Sequence, residues 1–158
     1  MSATLMKEAP TVRTSTTVLV RTAHGPSAVP ATLRLLDPLP GLPAHDELLL
    51  DPLDDQGALF ALRSTDDVGV PLRLFVVAPD AFFSGYTPDV AATAARLRQD
   101  GTDPADEGHT LLVVVHPAGP AHAQPTANLL APLVVDRATG RAVQVVLEGD
   151  WPLRAPLG

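Results

Sequence analysis

Proline and glycine recur so often in this sequence that short elements are expected throughout. Of the 158 residues, 17 are Pro and 11 are Gly, and both residue types end regular structure or occupy turns. Because 46 % of the residues are apolar, the chain still has enough apolar surface for one buried core. We therefore expect one domain over residues 11–158, preceded by a flexible tail over residues 1–10 that shows no periodicity.

Short apolar runs bounded by Pro, Gly and Asp predict that most of these elements are strands. The run at residues 110–116 is apolar at nearly every position, which predicts a central strand covered on both faces. Residues 24–30 are turn formers and predict a turn after the first strand. The other predicted strands lie at residues 14–20 and 31–36 and in the runs that begin at Glu47, Ala58 and Leu72.

One helix is predicted after residue 86. Thr87 is a suitable N-cap, Pro88 suits the first helical position, and Gly101 is a suitable terminator. Because the apolar stripe of this helix consists largely of alanine, it buries little area, and we expect the helix to lie on a sheet. Its predicted buried face consists of Val90, Ala94 and Leu97.

The C-terminal third predicts a hairpin. Residues 126–136 and 141–148 are apolar runs on either side of Gly140, which can supply the positive φ of a tight turn. Pro132 cannot donate to a strand ladder, so we expect its strand to be bulged, divided or at an edge. The whole pattern indicates an all-β, antiparallel, barrel-like domain of about eight short strands with one short helix, in which closure removes exposed edges.

Several kinds of chemistry find no support in the sequence. The chain has no cysteine, which excludes disulfides and thiolate ligands or nucleophiles. No histidine pair has zinc-ligand spacing, and His109 and His116 are an odd number of residues apart, on opposite faces of a strand. Phosphate-binding, dinucleotide-binding and nucleophile-elbow motifs are missing. We expect no enzyme activity, metal or cofactor; the alternatives are a small hydrolase and a β-barrel that binds carbohydrate or another ligand.

Charge and hydropathy also limit the partners. The net charge of −7 disfavours direct binding to nucleic acid. The chain start lacks the pattern of a signal peptide and the longest aliphatic run, residues 111–115, is too short to span a bilayer, so we expect a cytoplasmic protein without a membrane partner. Residues 37–67 contain eight acidic residues and one basic residue, Arg63. This acidic stretch either aids solubility or steers a basic protein partner.

Two further features are candidates for binding or for the core. Phe82, Phe83 and Tyr86 cluster in a chain that is only 4 % aromatic, and they suit either core packing or exposed anchors for a protein partner. Asn128, the single asparagine, lies in an apolar strand. We expect its side-chain amide to satisfy backbone groups beside Pro132.

Three motifs resemble, in order and spacing, the C-terminal half of the FliW family of flagellar assembly factors. They are TANLLAPLVVD (residues 126–136), VQVVLE (143–148) and DWPLRAPL (150–157). Upstream, LPGL, PLDD, LRS and APDAFFSGY are similar to further motifs of that family. The chain departs from the family around LPGL, where two aromatics and one glycine are lost, and in a longer loop over residues 67–72. In addition, Trp151 stands where the family usually has Tyr, and Ala155 where it usually has His.

The resemblance implies a cytoplasmic, non-enzymatic chaperone that binds newly made flagellin and, once flagellin is exported, binds the translational regulator CsrA instead and antagonises it. CsrA is a basic RNA-binding dimer, which the acidic stretch would attract. We predict partner binding by Asn128, Leu129, Leu130 and Pro132 on the signature strand, by Phe82, Phe83 and Tyr86 as apolar anchors, and by Asp54, Asp55, Asp66 and Asp67 as steering charges.

Overall fold

The computed structural model describes residues 17–39, 46–65, 71–97, 108–120 and 123–157. This part of the chain contains eleven strands, a 3₁₀ turn at Pro79–Ala81 and one α-helix, α1, at Ala91–Leu97. The predicted tail at residues 1–10 lies outside the described residues. The strands are β1 (Thr17–Thr22), β2 (Gly25–Pro30), β3 (Thr32–Leu35), β4 (Glu47–Pro52), β5 (Leu59–Ser64), β6 (Arg73–Val77), β7 (His109–His116), β8 (Thr126–Ala127), β9 (Leu133–Asp136), β10 (Arg141–Gln144) and β11 (Ala155–Pro156).

Seven of these strands form a closed barrel. Neighbours pair in the order β7, β6, β5, β4, β3, β10, β9, and β9 pairs back with β7 to complete the ring. Every pairing in the ring is antiparallel except the one between β3 and β10, which is parallel. The predicted all-β, barrel-like class with one short helix is confirmed. The ring leaves no free strand edge of its own, which removes a site of unwanted pairing.

Side chains point alternately into and out of the barrel along each strand, and those that point inward are apolar. On β5 and β6, Phe60, Leu62 and Val76 point inward and are fully buried, as is Leu112 on β7. The hairpin of β1 and β2 adds Val18, Val20 and Val29 to the same cluster. A side-chain period of two therefore places one apolar face of each strand inside the ring.

The hairpin of β1 and β2 corrects the turn predicted over residues 24–30. Those residues form strand β2 from Gly25 onward, and only Ala23 and His24 make the turn. The two prolines of β2, Pro26 and Pro30, are tolerated because β2 has a single partner strand, so it forms an edge where a missing N–H group costs little.

Helix α1 begins later than predicted. Thr87 is not its N-cap; the helix begins at Ala91, whose N–H donates to the carboxylate of Asp89 at 3.2 Å. This local side-chain acceptor competes with an earlier helical turn and fixes the start. The predicted end near Gly101 lies outside the described residues. The predicted buried face is confirmed, because α1 packs on the barrel through Ala94 and Leu97.

The predicted hairpin at the C-terminal third is confirmed as β9 and β10. Gly140 adopts a φ of +79° in its turn, and its N–H donates to the carbonyl of Asp136 at 2.8 Å. A Cβ at this position would lie 2.5 Å from the Thr32 carbonyl oxygen. The turn therefore requires glycine both for its conformation and for its close contact with β3.

Candidate functional site

The signature sequence NLLAP forms a bulge between two strands. Strands β8 and β9 both pair with β7, Ala127 with Val115 and Leu133 with Leu112. Between these pairs the chain advances six residues while β7 spans three, so three residues are extra. We call residues 128–132 the signature bulge. Pro132 divides the strand and a bulge forms beside it, which are two of the outcomes predicted for this strand. Asn128, which was expected within a strand, lies in the bulge.

Asn128 supplies the acceptor that a strand partner would otherwise provide. Its side-chain Oδ1 accepts hydrogen bonds from the N–H groups of Leu130 and Ala131, both at 3.1 Å. This confirms that the amide satisfies backbone groups beside Pro132, which has no N–H group itself. The other two N–H groups of the bulge are those of Asn128, which donates to Val114 O at 2.9 Å, and Leu129, which donates to Pro152 O at 3.0 Å.

The carbonyl groups of the signature bulge are also paired. Every N–H group and four of the five carbonyls have a partner, which is what a buried backbone requires. The bulge thus joins the barrel to the segments that wrap it. The carbonyls of Leu129, Leu130, Ala131 and Pro132 accept from Tyr86 Oη (2.7 Å), Leu147 N (2.8 Å), Gln144 Nε2 (3.0 Å) and Val145 N (3.0 Å), respectively.

The aromatic cluster divides between core and surface. Tyr86 is buried and packs edge to face against Trp151, with ring centroids 5.0 Å apart. Burial raises the pKa of Tyr86 to about 12, so its hydroxyl stays protonated and donates to the bulge. Phe83 is partly buried in the same cluster. Phe82 remains 42 % exposed and is the most exposed ring of the three.

An apolar groove lies on the outer wall of the barrel. Strands β5, β6 and β7 are apolar on both faces; the inner face fills the barrel, while Leu59, Phe75 and Val77 face outward. Helix α1 covers another part of the wall, over β9 and β10. The groove encloses about 560 Å³, and we call it the outer groove. Its lining residues are Asp54, Leu59, Phe75, Val77, Phe82, Val115, Pro117, Ala118, Gln124, Pro125 and Leu157.

The outer groove was not among the sequence predictions. The continuous apolar run of β7 was the signal, but it predicted a strand covered on both faces. A run that is apolar on both faces does not show which residues the rest of the chain leaves uncovered. The predicted bulge residues lie elsewhere: Leu129 and Pro132 are buried, and Leu130 is partly buried beside α1.

Two of the four predicted steering charges, Asp54 and Asp55, lie in the turn between β4 and β5. Asp54 lies at the rim of the outer groove, and its Oδ1 accepts from the N–H groups of Gln56 (3.3 Å) and Ala58 (3.1 Å). Asp54 therefore shapes the turn as well as contributing charge. Asp55 beside it is exposed. Asp66 and Asp67 lie outside the described residues.

Arginines from several elements neutralise part of the acidic stretch. Arg63 forms an ion pair with Asp51 at 2.6 Å. In addition, Arg34 lies 4.0 Å from Glu47 and Arg96 lies 3.6 Å from Asp37. Since Arg34 and Arg96 come from outside residues 37–67, the count along the sequence overstates the local negative charge. The exposed turn with Asp54 and Asp55 retains the carboxylates best placed to act at a distance.

Within the residues that the structure describes, no group of three or more His, Asp or Glu side chains is arranged to hold a metal ion. None of the helices in those ranges has the length and apolar character needed to cross a bilayer.

Known proteins share both the sequence and the fold of this chain. The FliW protein family model matches residues 16–157. The chain is 34 % identical over 118 residues to the flagellar assembly factor FliW of Heliobacterium modesticaldum, across 75 % of this chain and 73 % of that protein. It is 36 % identical over 130 residues to the flagellar assembly factor FliW of Syntrophotalea carbinolica, across 80 % and 86 %. A crystal structure of the flagellar assembly factor FliW superposes with a TM-score of 0.65 at 23 % identity, across 90 % of this chain and 96 % of that one, and so has the same fold.

Proposed function

Because the chain belongs to the FliW family of flagellar assembly factors, we propose that it acts by binding proteins and not by converting a substrate. Its first partner is newly made flagellin, which it holds in the cytoplasm as a chaperone. When flagellin is exported, it binds the translational regulator CsrA instead and antagonises it. The fraction of the protein that is free to bind CsrA then depends, by mass action, on the amount of free flagellin.

The outer groove is the observation that carries this proposal. Of the described residues that line it, only Asp54 and Gln124 have polar side chains, so it favours an apolar occupant. Its volume of about 560 Å³ suits a few large side chains projecting from one face of a helix. The terminal helices of flagellin offer such faces, and an amphipathic helix in a groove is a common mode of recognition.

The acidic rim of the outer groove favours a partner helix that carries positive charge. Asp54 lines the groove and Asp55 lies next to it on an exposed turn. A helix with a Lys or Arg beside its apolar stripe gains a favourable contact there. Exposed Phe82 on the lining is the anchor that enters between side chains of the partner.

CsrA is attracted to this chain by electrostatic complementarity. It is a basic protein, and the turn between β4 and β5 presents two adjacent carboxylates in a chain with a net charge of −7. Exposed charges of this kind act mainly on the rate of encounter. Salt should therefore weaken CsrA capture much more than flagellin capture, because ions screen exposed charges.

The experiment is a binding measurement with the flagellin and CsrA of the same organism at low and high salt. Phe82→Asp places a charge in the outer groove and should weaken flagellin binding by about tenfold or more. The matched control is Val146→Asp, which places the same charge on a side chain that is 67 % exposed and outside the groove; it should bind flagellin as the parent does. Failure to capture either partner at low salt would overturn the proposal, and equal effects of the two variants would overturn the role of the groove.

A further inference from the structure

A second cleft, separate from the outer groove, has a polar lining. It lies where the turn between β1 and β2 meets the 3₁₀ turn, the segment before α1, the start of β7 and the end of β9. It encloses about 440 Å³, within the range of small-molecule sites, and we call it the polar cleft. Its lining residues are Thr22, Ala23, His24, Ser27, Asp80, Tyr86, Thr87, Pro88, Val90, His109, Thr110, Leu111 and Arg137.

Arg137 is a half-buried cation in this cleft. Its Nη1 donates to the hydroxyl of Ser27 at 2.8 Å, and among the described residues no carboxylate lies within ion-pair distance of its guanidinium. By contrast, the more exposed Arg63 is paired with Asp51. A partly desolvated guanidinium with only a hydroxyl acceptor keeps donors available for an anion.

The other polar groups define what kind of anion fits. Asp80 lines the same cleft, where its Oδ2 accepts from the N–H group of Ala23 at 3.1 Å. A second negative charge on a ligand would be repelled by this carboxylate, which favours a singly charged ligand. His24 and His109 also contribute to the lining of the cleft.

The cleft also offers apolar contacts. Val90 and Leu111 are part of its lining, together with Pro88. Small-molecule sites typically combine apolar contacts with polar groups that fix the orientation of the ligand. The ligand therefore combines one anionic group with a compact apolar body.

We propose that the polar cleft binds a small monocarboxylate, whose carboxylate pairs with Arg137 and whose apolar part packs against Val90 and Leu111. Guanidinium and carboxylate match in a bidentate geometry, which a neutral amide of the same shape cannot use. This site is independent of flagellin and CsrA, so its presence or absence does not depend on the proposed function.

The test is an NMR titration of the full chain with phenylacetate, which joins a carboxylate to an apolar ring. We expect saturable shifts of the backbone amides of Ala23 and Leu111. Phenylacetamide, of the same shape but neutral, should bind about tenfold more weakly or not at all. Inorganic phosphate tests whether a more highly charged oxyanion binds equally well.

Two variants assign the carboxylate contact. Arg137→Gln should weaken phenylacetate binding by about tenfold, while Arg73→Gln, which alters an arginine that packs over the Phe75 ring at 5.1 Å and does not line the polar cleft, should leave it unchanged. The amide spectrum of each variant shows whether the fold is retained. No saturable shift in the parent chain, equal binding of phenylacetamide or phosphate, or unchanged binding in a folded Arg137→Gln variant would overturn the proposal.

Discussion

The hydroxyl of Tyr86 donates a hydrogen bond of 2.7 Å to the carbonyl oxygen of Leu129, 43 residues further along the chain. This contact joins two sequence features that were separate binding candidates, the aromatic cluster and the NLLAP motif. Because both residues are buried, their first role is to hold the wrapped segments against the barrel. Any partner meets the surface that they support, such as exposed Phe82.

Tyr86→Phe should destabilise the fold by about 1–3 kcal/mol, because the variant leaves the buried Leu129 carbonyl without a donor. Trp151 is the single tryptophan, so its fluorescence during urea unfolding reports the change. The control is Thr65→Val, which removes an exposed hydroxyl that makes only a 3.4 Å contact with Glu47 and should change the stability by less than about 0.5 kcal/mol. Equal unfolding midpoints for Tyr86→Phe and the parent chain would contradict this role.

Tyr86 should also make the fold sensitive to alkali. Its pKa is raised by burial from 10.0 to about 12, so its contribution to stability is complete below about pH 10 and is lost as the pH rises through about 12. Since Tyr86 is the single tyrosine, the ultraviolet absorbance of tyrosinate follows this one group. The folded chain should titrate near pH 12 and the urea-unfolded chain near pH 10; a folded titration near pH 10 would show that the ring is not buried.

Asn128→Ala should cost about 2 kcal/mol or more, because it removes the acceptor for the N–H groups of Leu130 and Ala131. Asn128→Asp keeps an oxygen in the same place and should cost less than about 1 kcal/mol. Urea unfolding of the two variants separates the loss of the acceptor from the loss of the amide group. If alanine and aspartate cost the same, the acceptor role of Asn128 is wrong.

Two glycines with the same backbone conformation give a matched test of packing. Gly140 and Gly85 have φ values of +79° and +80°, so alanine at either position costs about 1–2 kcal/mol in backbone strain. Only at Gly140 would the new Cβ meet another group, the Thr32 carbonyl at 2.5 Å; at Gly85 it meets nothing within 4 Å. We expect Gly140→Ala to cost at least about 1 kcal/mol more than Gly85→Ala in thermal or urea unfolding, and equal costs would contradict the contact with β3.

Asp55→Lys should slow the association of CsrA severalfold at low salt, because it reverses an exposed charge on the proposed encounter surface. Asp54 is unsuitable for this test, since its carboxylate also holds the turn through two backbone N–H groups. The control is Glu148→Lys, the same charge change at an exposed residue outside residues 37–67. Association rates measured by stopped flow should differ between the two variants at low salt and converge at high salt. Identical association rates at low salt would contradict the proposal that Asp55 steers CsrA.

The barrel strands could be predicted because their signal is local. Apolar runs such as those of β4, β5 and β6 end at or near Pro, Gly or Asp. The turn at Gly140 needs a positive φ, and a glycine between two apolar runs is the residue that predicts it. A bulge or a division at Pro132 could be predicted from its missing N–H group, but the place of Asn128 within the bulge could not, since the surrounding residues continue an apolar run. What interrupts the strand is the side chain of Asn128 replacing a backbone acceptor, a choice that depends on tertiary contacts with Pro152 and Tyr86.

The site was harder to predict than the fold. The sequence singled out the aromatic cluster, but which ring is buried depends on the position of Trp151, 65 residues beyond Tyr86. The outer groove depends on where the wrapping segments stop, and the acidic surface depends on arginines that reach it from β3 and α1. These arrangements depend on contacts between residues that are distant in sequence, so they could not be predicted from local sequence patterns.

The parallel pair of β3 and β10 joins Arg34 to Arg141, two positions that are 107 residues apart. During synthesis, β3 leaves the ribosome about 100 residues before β10, the strand that covers its second edge. Until then the nascent chain exposes an unpaired strand edge, the kind of surface that recruits chaperones or aggregates. A protein that we propose to be a chaperone is therefore itself exposed to misassembly until β10 has been made.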